Sequence, residues 1–244
     1  KFFCPINTTY HESYIRKEHQ TMFLFVLEIM GSIAFAISGA MVAIKKEFDL
    51  LGVIVLGITT SIGGGIIRDV ILGITPPKTF QNSIYAKVSV LSSVIVFLFV
   101  YINRSNMMKR EIKVLYEKLL LISDTIGLGV FTVVGINIAY SQLEEPNTFL
   151  FIFVGVLTGV GGGLCRDMMA GNKPYIFVKH IYASASIAGA LTTVYLWEVT
   201  NKNIAMMCGI AVVSIIRFLA AHFEWNLPKI KRTEENNNRM MIQK

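Results

Sequence analysis

Seven apolar runs, each about 20 residues long and separated by short polar or charged breaks, constrain this chain more than any single motif. They fall at 22–44, 50–74, 82–103, 118–140, 148–170, 176–197 and 203–223. At 1.5 Å per residue, a helix of roughly 20 apolar residues crosses the hydrocarbon layer of a bilayer. Of the 244 residues, 53% are hydrophobic and 16% charged. With a mean hydropathy of +0.56, the chain lies outside the range of soluble domains. The pattern predicts an all-α membrane protein whose solvent is the lipid bilayer.

Charge placement orients the spans. The loop after the first run carries Lys45 and Lys46, and the loop after the third carries Arg104, Lys109, Arg110 and Lys113. The tail carries Lys229, Lys231 and Arg232, and all three segments lie on one face. The other face has Arg16, Lys17, Lys78 and Lys202 against Glu144 and Glu145. Lys and Arg concentrate in cytoplasmic loops, so the N-terminus is expected outside and the C-terminus inside, in a prokaryotic cell (inner) membrane. The net charge of +7 is then a topology signal, and no nucleic-acid partner is expected. The first twenty residues lack the basic start and short apolar core of a cleavable leader. The Asn-rich tail reads as disordered.

The body of the chain is duplicated. Gly31, Phe35 and Gly39 answer to Gly127, Phe131 and Gly135. Gly63-Gly64-Gly65-Ile66-Ile67-Arg68-Asp69 recurs as Gly161-Gly162-Gly163-Leu164-Cys165-Arg166-Asp167, with Gly73 and Gly171 following at equal distance. Ile84-Tyr85-Ala86 then recurs as Ile181-Tyr182-Ala183. Each unit holds three spans, an odd number, so the second copy enters from the opposite side and the two form an inverted repeat. The chain divides into a polar segment 1–21, a first three-helix repeat 22–103, a basic cytoplasmic loop 104–117, a second three-helix repeat 118–197, a seventh transmembrane helix 203–223 and a polar tail 224–244. Inverted repeats characterise transport folds, whose site lies where interrupted helices of the two halves meet. Permeation is the expected function.

Three consecutive glycines cost a helix roughly 1 kcal/mol each relative to alanine, so something compensates. One reading makes Gly63, Gly64, Gly65, Gly161, Gly162 and Gly163 breaks or hinges that expose carbonyls to a watery path, the other a close contact between helices. On the first, leucine at Gly64 and Gly162 together lowers conductance while membrane insertion survives. Arg68, Asp69, Arg166 and Asp167 would each cost about 2.5–3.5 kcal/mol at a helix centre facing lipid. They form either charged vestibules at the two faces or structural pairs and snorkelling side chains. Thr59, Thr60, Ser61 and Thr158 either replace part of a cation's hydration shell or bond the preceding helical turn. Glu28 and Asp124 hold equivalent places; Glu28 is the deeper and the better pore candidate, while Asp124 suits a helix start. Lys87 and Lys179 have stems long enough to snorkel.

Catalytic and metal signatures are lacking. His11 and His19 show no ligand spacing, and no nucleophile-elbow or phosphate-loop pattern occurs. Cys165 and Cys208 lie inside spans and Cys4 outside, so no disulfide framework is expected. The expectation is no enzyme, no cofactor and no metal.

Through Ala34-Phe35-Ala36-Ile37-Ser38-Gly39-Ala40 and Gly63-Gly64-Gly65-Ile66-Ile67-Arg68-Asp69-Val70-Ile71-Leu72-Gly73, each with its second copy, the chain resembles the prokaryotic branch of the trimeric intracellular cation (TRIC) channel family. The resemblance spans roughly residues 22–223. It implies seven helices, a homotrimer, and one hourglass pore per protomer that passes monovalent cations such as potassium beside the two glycine triplets. Some relatives carry a glycine-transporter label, so a small-amino-acid transporter is the alternative, and an accessory membrane scaffold the third reading.

Overall fold

A computed structural model describes residues 8–103, 109–143, 145–178, 181–223 and 225. The regular secondary structure of the described residues is all helical, without strands. The long helices are α1 (Thr8–Lys45), α2 (Leu50–Ile71), α4 (Ile84–Asn103), α5 (Lys109–Gln142), α6 (Thr148–Met169), α8 (Ile181–Val199) and α9 (Lys202–His222). Two single-turn helices, α3 (Lys78–Gln81) and α7 (Tyr175–Val178), precede α4 and α8.

Several boundaries differ from those read in the sequence. The backbone of the polar N-terminal segment is helical from Thr8, continuous with the first span. The segment expected as a basic loop, 104–117, is helical from Lys109 onward and runs into α5. Among the described residues, six helices are long and apolar enough to cross a membrane, where seven runs were expected. The sixth run, 176–197, is divided: α7 takes its start, and α8 begins at Ile181. Helix α8 is not among those six. Its polar residues are directed inward: Ser186 meets Thr132 at 2.7 Å, Tyr182 bonds Asp124, and Thr193 bonds the Gly189 carbonyl. A helix covered by neighbours on that face needs less apolar surface than one ringed by lipid. Arg104, Glu144, Lys179 and the tail beyond 225 lie outside the described residues.

Equivalent sequence produces equivalent local structure. The Asp49 carboxylate caps α2 by accepting from Gly52 N–H at 2.7 Å, and the Asn147 amide oxygen caps α6 by accepting from Leu150 N–H at 3.0 Å. Both helices stop the same way. Gly73 and Gly171 turn the chain at φ +69° and +64°, a left-handed conformation that glycine adopts without strain. Ile74 N–H then bonds the Asp69 carbonyl, and Asn172 N–H the Asp167 carbonyl, each at 2.8 Å.

Helices α1, α2, α5 and α6 form the centre; α4 packs on α1 and α2, α8 on α5 and α6, and α9 on α5 and α8. The centre is tight because α2 and α6 cross at their glycine triplets. A methyl placed on Gly64 would fall on the Thr158 carbonyl oxygen, and one on Gly162 on the Thr60 carbonyl oxygen. One on Gly161 would lie 3.0 Å from Gly64 Cα. Both helices run through the triplets without interruption, so the expected breaks or hinges are not there. Backbone approach compensates for the lost helix propensity, as at other small-residue crossings.

Candidate functional site

Two buried clusters, one per repeat, occupy the bundle interior. In the first, Arg68 Nε donates to Asp69 Oδ1 at 2.8 Å, and Lys78 N–H donates to Asp69 Oδ2 at 2.8 Å. In the second, Arg166 Nε donates to Asp167 Oδ1 at 2.9 Å, and Tyr175 N–H donates to Asp167 Oδ2 at 2.8 Å. Each aspartate thus fastens its own arginine and the first backbone N–H of the chain that returns through α3 or α7. All four charged side chains are at most 4% exposed, so the pairs are interior structure and not open vestibules.

A phenol and a carboxylate complete each cluster. Tyr85 donates its hydroxyl to Glu28 in the first, and Tyr182 donates to Asp124 Oδ1 at 3.3 Å in the second. Asp124 is no helix-start residue: it lies within α5, fully buried. Arg166 Nη1 reaches Asp124 Oδ1 at 2.6 Å and also donates to Ser38 of α1, tying the second repeat to the first. Arg217 of α9 reaches Asp124 Oδ2 at 3.3 Å and lies over the Tyr182 ring at 4.8 Å.

Each cluster opens on a cavity. The first cavity, about 30 Å³, is bounded by Glu28, Ser32, Ser61, Arg68, Tyr85 and Phe131 among others. That volume holds a few atoms of water or an ion. The second, about 560 Å³, is a vestibule bounded by Lys45, Tyr116, Glu117, Tyr175, Arg217 and Trp225 among others. Burial pushes the Tyr175 hydroxyl above its ordinary pKa, against the opposing pull of Arg166, so it stays neutral there. From Glu28 to Lys45 along α1 is roughly 25 Å at 1.5 Å per residue, so the cavities lie toward opposite ends of its apolar span, Met22–Lys45. Helix α5 runs antiparallel to it: Lys45 Nζ lies 4.5 Å from the Tyr116 ring centroid, and Phe35 stacks on Phe131 at 5.2 Å. The stacked Phe35–Phe131 pair lies between Glu28 and Lys45 along α1, and Phe131 also borders the first cavity.

Of the hydroxyl residues named from sequence, Thr59, Thr60 and Thr158 bond the carbonyl one turn back, at 2.9, 2.6 and 2.6 Å. Thr60 and Thr158 also fill the space left by Gly39 and Gly135, which is a packing role. Ser61 alone of the four lines a cavity, accepting from Ser89 at 2.7 Å. Sequence reasoning missed Arg217 and Ser38, and used Tyr85, Tyr182, Phe35 and Phe131 only as markers of the repeat. Arg217 carried a usable signal, since an arginine inside an apolar span needs a partner.

The duplicated geometry has a counterpart among known proteins. A family model described as "Glycine transporter" matches residues 25–101 and again 121–198. A chain solved for the structural basis of conductance through TRIC cation channels is 36% identical, with a TM-score of 0.72 over 85% of this chain and 97% of that one. The chain belongs to the TRIC family. The TRIC trimeric intracellular cation channel orthologue from Rhodobacter sphaeroides is 30% identical, with a TM-score of 0.74 over 83% of this chain and 98% of that one. Among sequence relatives, the UPF0126 membrane protein YvgT of Bacillus subtilis is 35% identical over 83% of this chain and 94% of its own length. The UPF0126 inner membrane protein YadS of Escherichia coli is 34% identical over 85% and 96%. Like these relatives, this TRIC chain is a membrane protein.

Proposed function

We propose that the protomer is a monovalent cation channel of potassium type, with its path running from the Glu28 cavity past the Phe35–Phe131 pair to the vestibule below Lys45. The observation that carries this reading is Glu28. It is a carboxylate on a cavity inside an apolar bundle, hydrogen-bonded to Tyr85 and without an ion pair among the described residues. An intramembrane carboxylate so placed marks an ion pathway. The solved TRIC structures are described as cation channels, which supports the same reading.

On this account the seven long helices, α8 included, all cross the membrane as two inverted three-helix repeats plus α9. The antiparallel course of α1 and α5 supports that arrangement. The glycine triplets act as the fixed crossing that holds the two walls together, in place of the hinge first expected. The lining comes from Glu28, Ser61 and Arg68 in the first cavity and from Lys45, Tyr175 and Arg217 in the vestibule, with Asp69, Asp124, Arg166 and Asp167 buried behind them. The working assembly is a homotrimer with a pore in each protomer, as the word trimeric in the neighbours' descriptions suggests. The orientation is N-terminus outside and C-terminus cytoplasmic. A cysteine introduced at Ser141 should then be labelled by an impermeant thiol reagent from outside, and one at Glu47 should not; the reverse pattern refutes the orientation.

A small-amino-acid carrier is the second reading. The family model's description favours it, as do Arg166 Nη2 and Arg217 Nε, buried donors without an acceptor among the described residues. A guanidinium with spare N–H groups suits a carboxylate ligand. Liposomes containing the purified protein separate the two. Valinomycin-independent potassium flux without glycine uptake is the expected result; saturable glycine uptake without potassium flux would establish the carrier instead.

A further inference from the structure

The two clusters share the carboxylates, guanidinium and phenol of the repeat, Glu28, Asp69, Arg68 and Tyr85 against Asp124, Asp167, Arg166 and Tyr182, and they differ in how the carboxylates are paired. Asp124 receives Arg166 on one oxygen and Arg217 on the other. Arg68 directs both Nε and Nη2 at Asp69 Oδ1 and makes no ion pair with Glu28. Helix α9 follows the second repeat, and among the described residues no ion-pairing guanidinium stands at Glu28 where Arg217 stands at Asp124. Counted formally with the lysine that lines the same cavity, Glu28 and Asp69 balance Arg68 and Lys78, as Asp124 and Asp167 balance Arg166 and Arg217; the difference lies in the pairing, since Asp124 is ion-paired on both oxygens and Glu28, among the described residues, on neither. Lys78 gives its backbone N–H to Asp69 and belongs to the lining of the first cavity, without an ion pair to either carboxylate. Lys45 and Glu117 face the second vestibule with opposite charges.

We propose that Arg217 is a resident counter-cation that occupies Asp124 in place of a permeant ion, so that the protomer binds a monovalent cation at Glu28 and not at Asp124. The geometry suits that role. Arg217 is 4% exposed, lines the vestibule, and is backed by the Tyr182 ring, so its guanidinium stands between the vestibule and Asp124. A cation entering from that side meets a fixed positive charge before it meets the carboxylate. A like charge in a narrow, low-dielectric mouth depletes the permeant ion there. The inference rests on the cation-pathway reading above.

Planar-bilayer recordings in potassium salt test it. Arg217→Gln removes the fixed positive charge at the vestibule and frees Asp124 Oδ2, leaving Arg166 on Oδ1, and should raise conductance by about tenfold, chiefly for ions entering from the vestibule. Arg217→Lys keeps the charge and should stay near wild type. The double variant Asp124→Asn/Arg217→Gln removes both charges and should show no rise. A rise in the double variant as large as in Arg217→Gln would make Arg217 a steric plug and overturn the proposal, as would unchanged current in a folded Arg217→Gln. The wild type provides an independent answer if that variant fails to fold. In crystals grown with thallium, anomalous density is expected beside Glu28 and none beside Asp124; density at Asp124, or none at Glu28, overturns the proposal. A wild type that passes no cation current defeats the pathway itself and the proposal with it, whereas the variant and thallium outcomes defeat the proposal alone.

Discussion

Replacing Gly64 and Gly162 together with alanine is expected to destabilise the protomer by about 2–4 kcal/mol, because each new methyl is driven into a backbone carbonyl of the facing helix. The neighbours cannot yield as a flexible side chain would: the Thr158 and Thr60 carbonyls belong to the helices that form the crossing. Separating α2 from α6 would also disturb α1 and α5, which pack on them. In a thermal melt of the detergent-purified protein the shift should be about 5–15 °C. If the triplets were breaks lining a pore, even leucine would be accommodated and conduction alone would suffer. Gly73→Ala is the contrast. No atom lies within 4 Å of its added methyl, and only the left-handed φ of +69° is strained, at a cost of about 1–2 kcal/mol. A double alanine variant that melts within about 2 °C of wild type would contradict the crossing.

Arg166→Met should have the larger effect on folding. It removes one side chain that bonds Asp124, Asp167 and Ser38 at once, leaving two buried carboxylates short of a partner. Breaking a buried pair from one side costs about 3–5 kcal/mol, since the orphaned charge remains desolvated. Arg166→Lys should recover little, because an ammonium is a point donor and cannot span three acceptors in a fork. Arg68→Met should be milder: Arg68 bonds Asp69 alone, beside a cavity into which water can follow. Monodisperse yield after size exclusion, with wild type and all three variants in parallel, measures this. Equal losses for Arg68→Met and Arg166→Met would mean that the link to Asp124 and Ser38 adds nothing.

The duplication was legible in the sequence because the two copies keep the same residues at the same spacing. Arg68–Asp69 and Arg166–Asp167 therefore stood out as a duplicated pair of charges, read as vestibules or as structural pairs, and Glu28 and Asp124 as equivalent carboxylates; the interior position of the pairs was not legible. The role of the glycines was not legible. A propensity cost says that something compensates for it, and a broken helix and a close crossing compensate equally well on paper. Only the placement of Thr158 against Gly64 distinguishes them. Asp124 was read as a helix-start residue because the apolar run begins just before it, but the backbone continues nine residues upstream of that run, from Lys109. Arg217 escaped because the repeat was the guide, and α9 has no partner in the repeat. The polarity of α8 has the same origin as the missed tyrosines: residues that face another helix need not be apolar.

The claim that matters most is that a cation passes Glu28 inside a single protomer. Single-channel recording of the reconstituted protein in symmetric potassium salt, wild type beside Glu28→Gln, tests it most directly. The account predicts unitary potassium currents from the wild type, reduced by about tenfold or more when the carboxylate becomes an amide that keeps the size and the hydrogen bond to Tyr85. Unitary currents of equal size from a correctly assembled Glu28→Gln would place the path elsewhere and contradict the account.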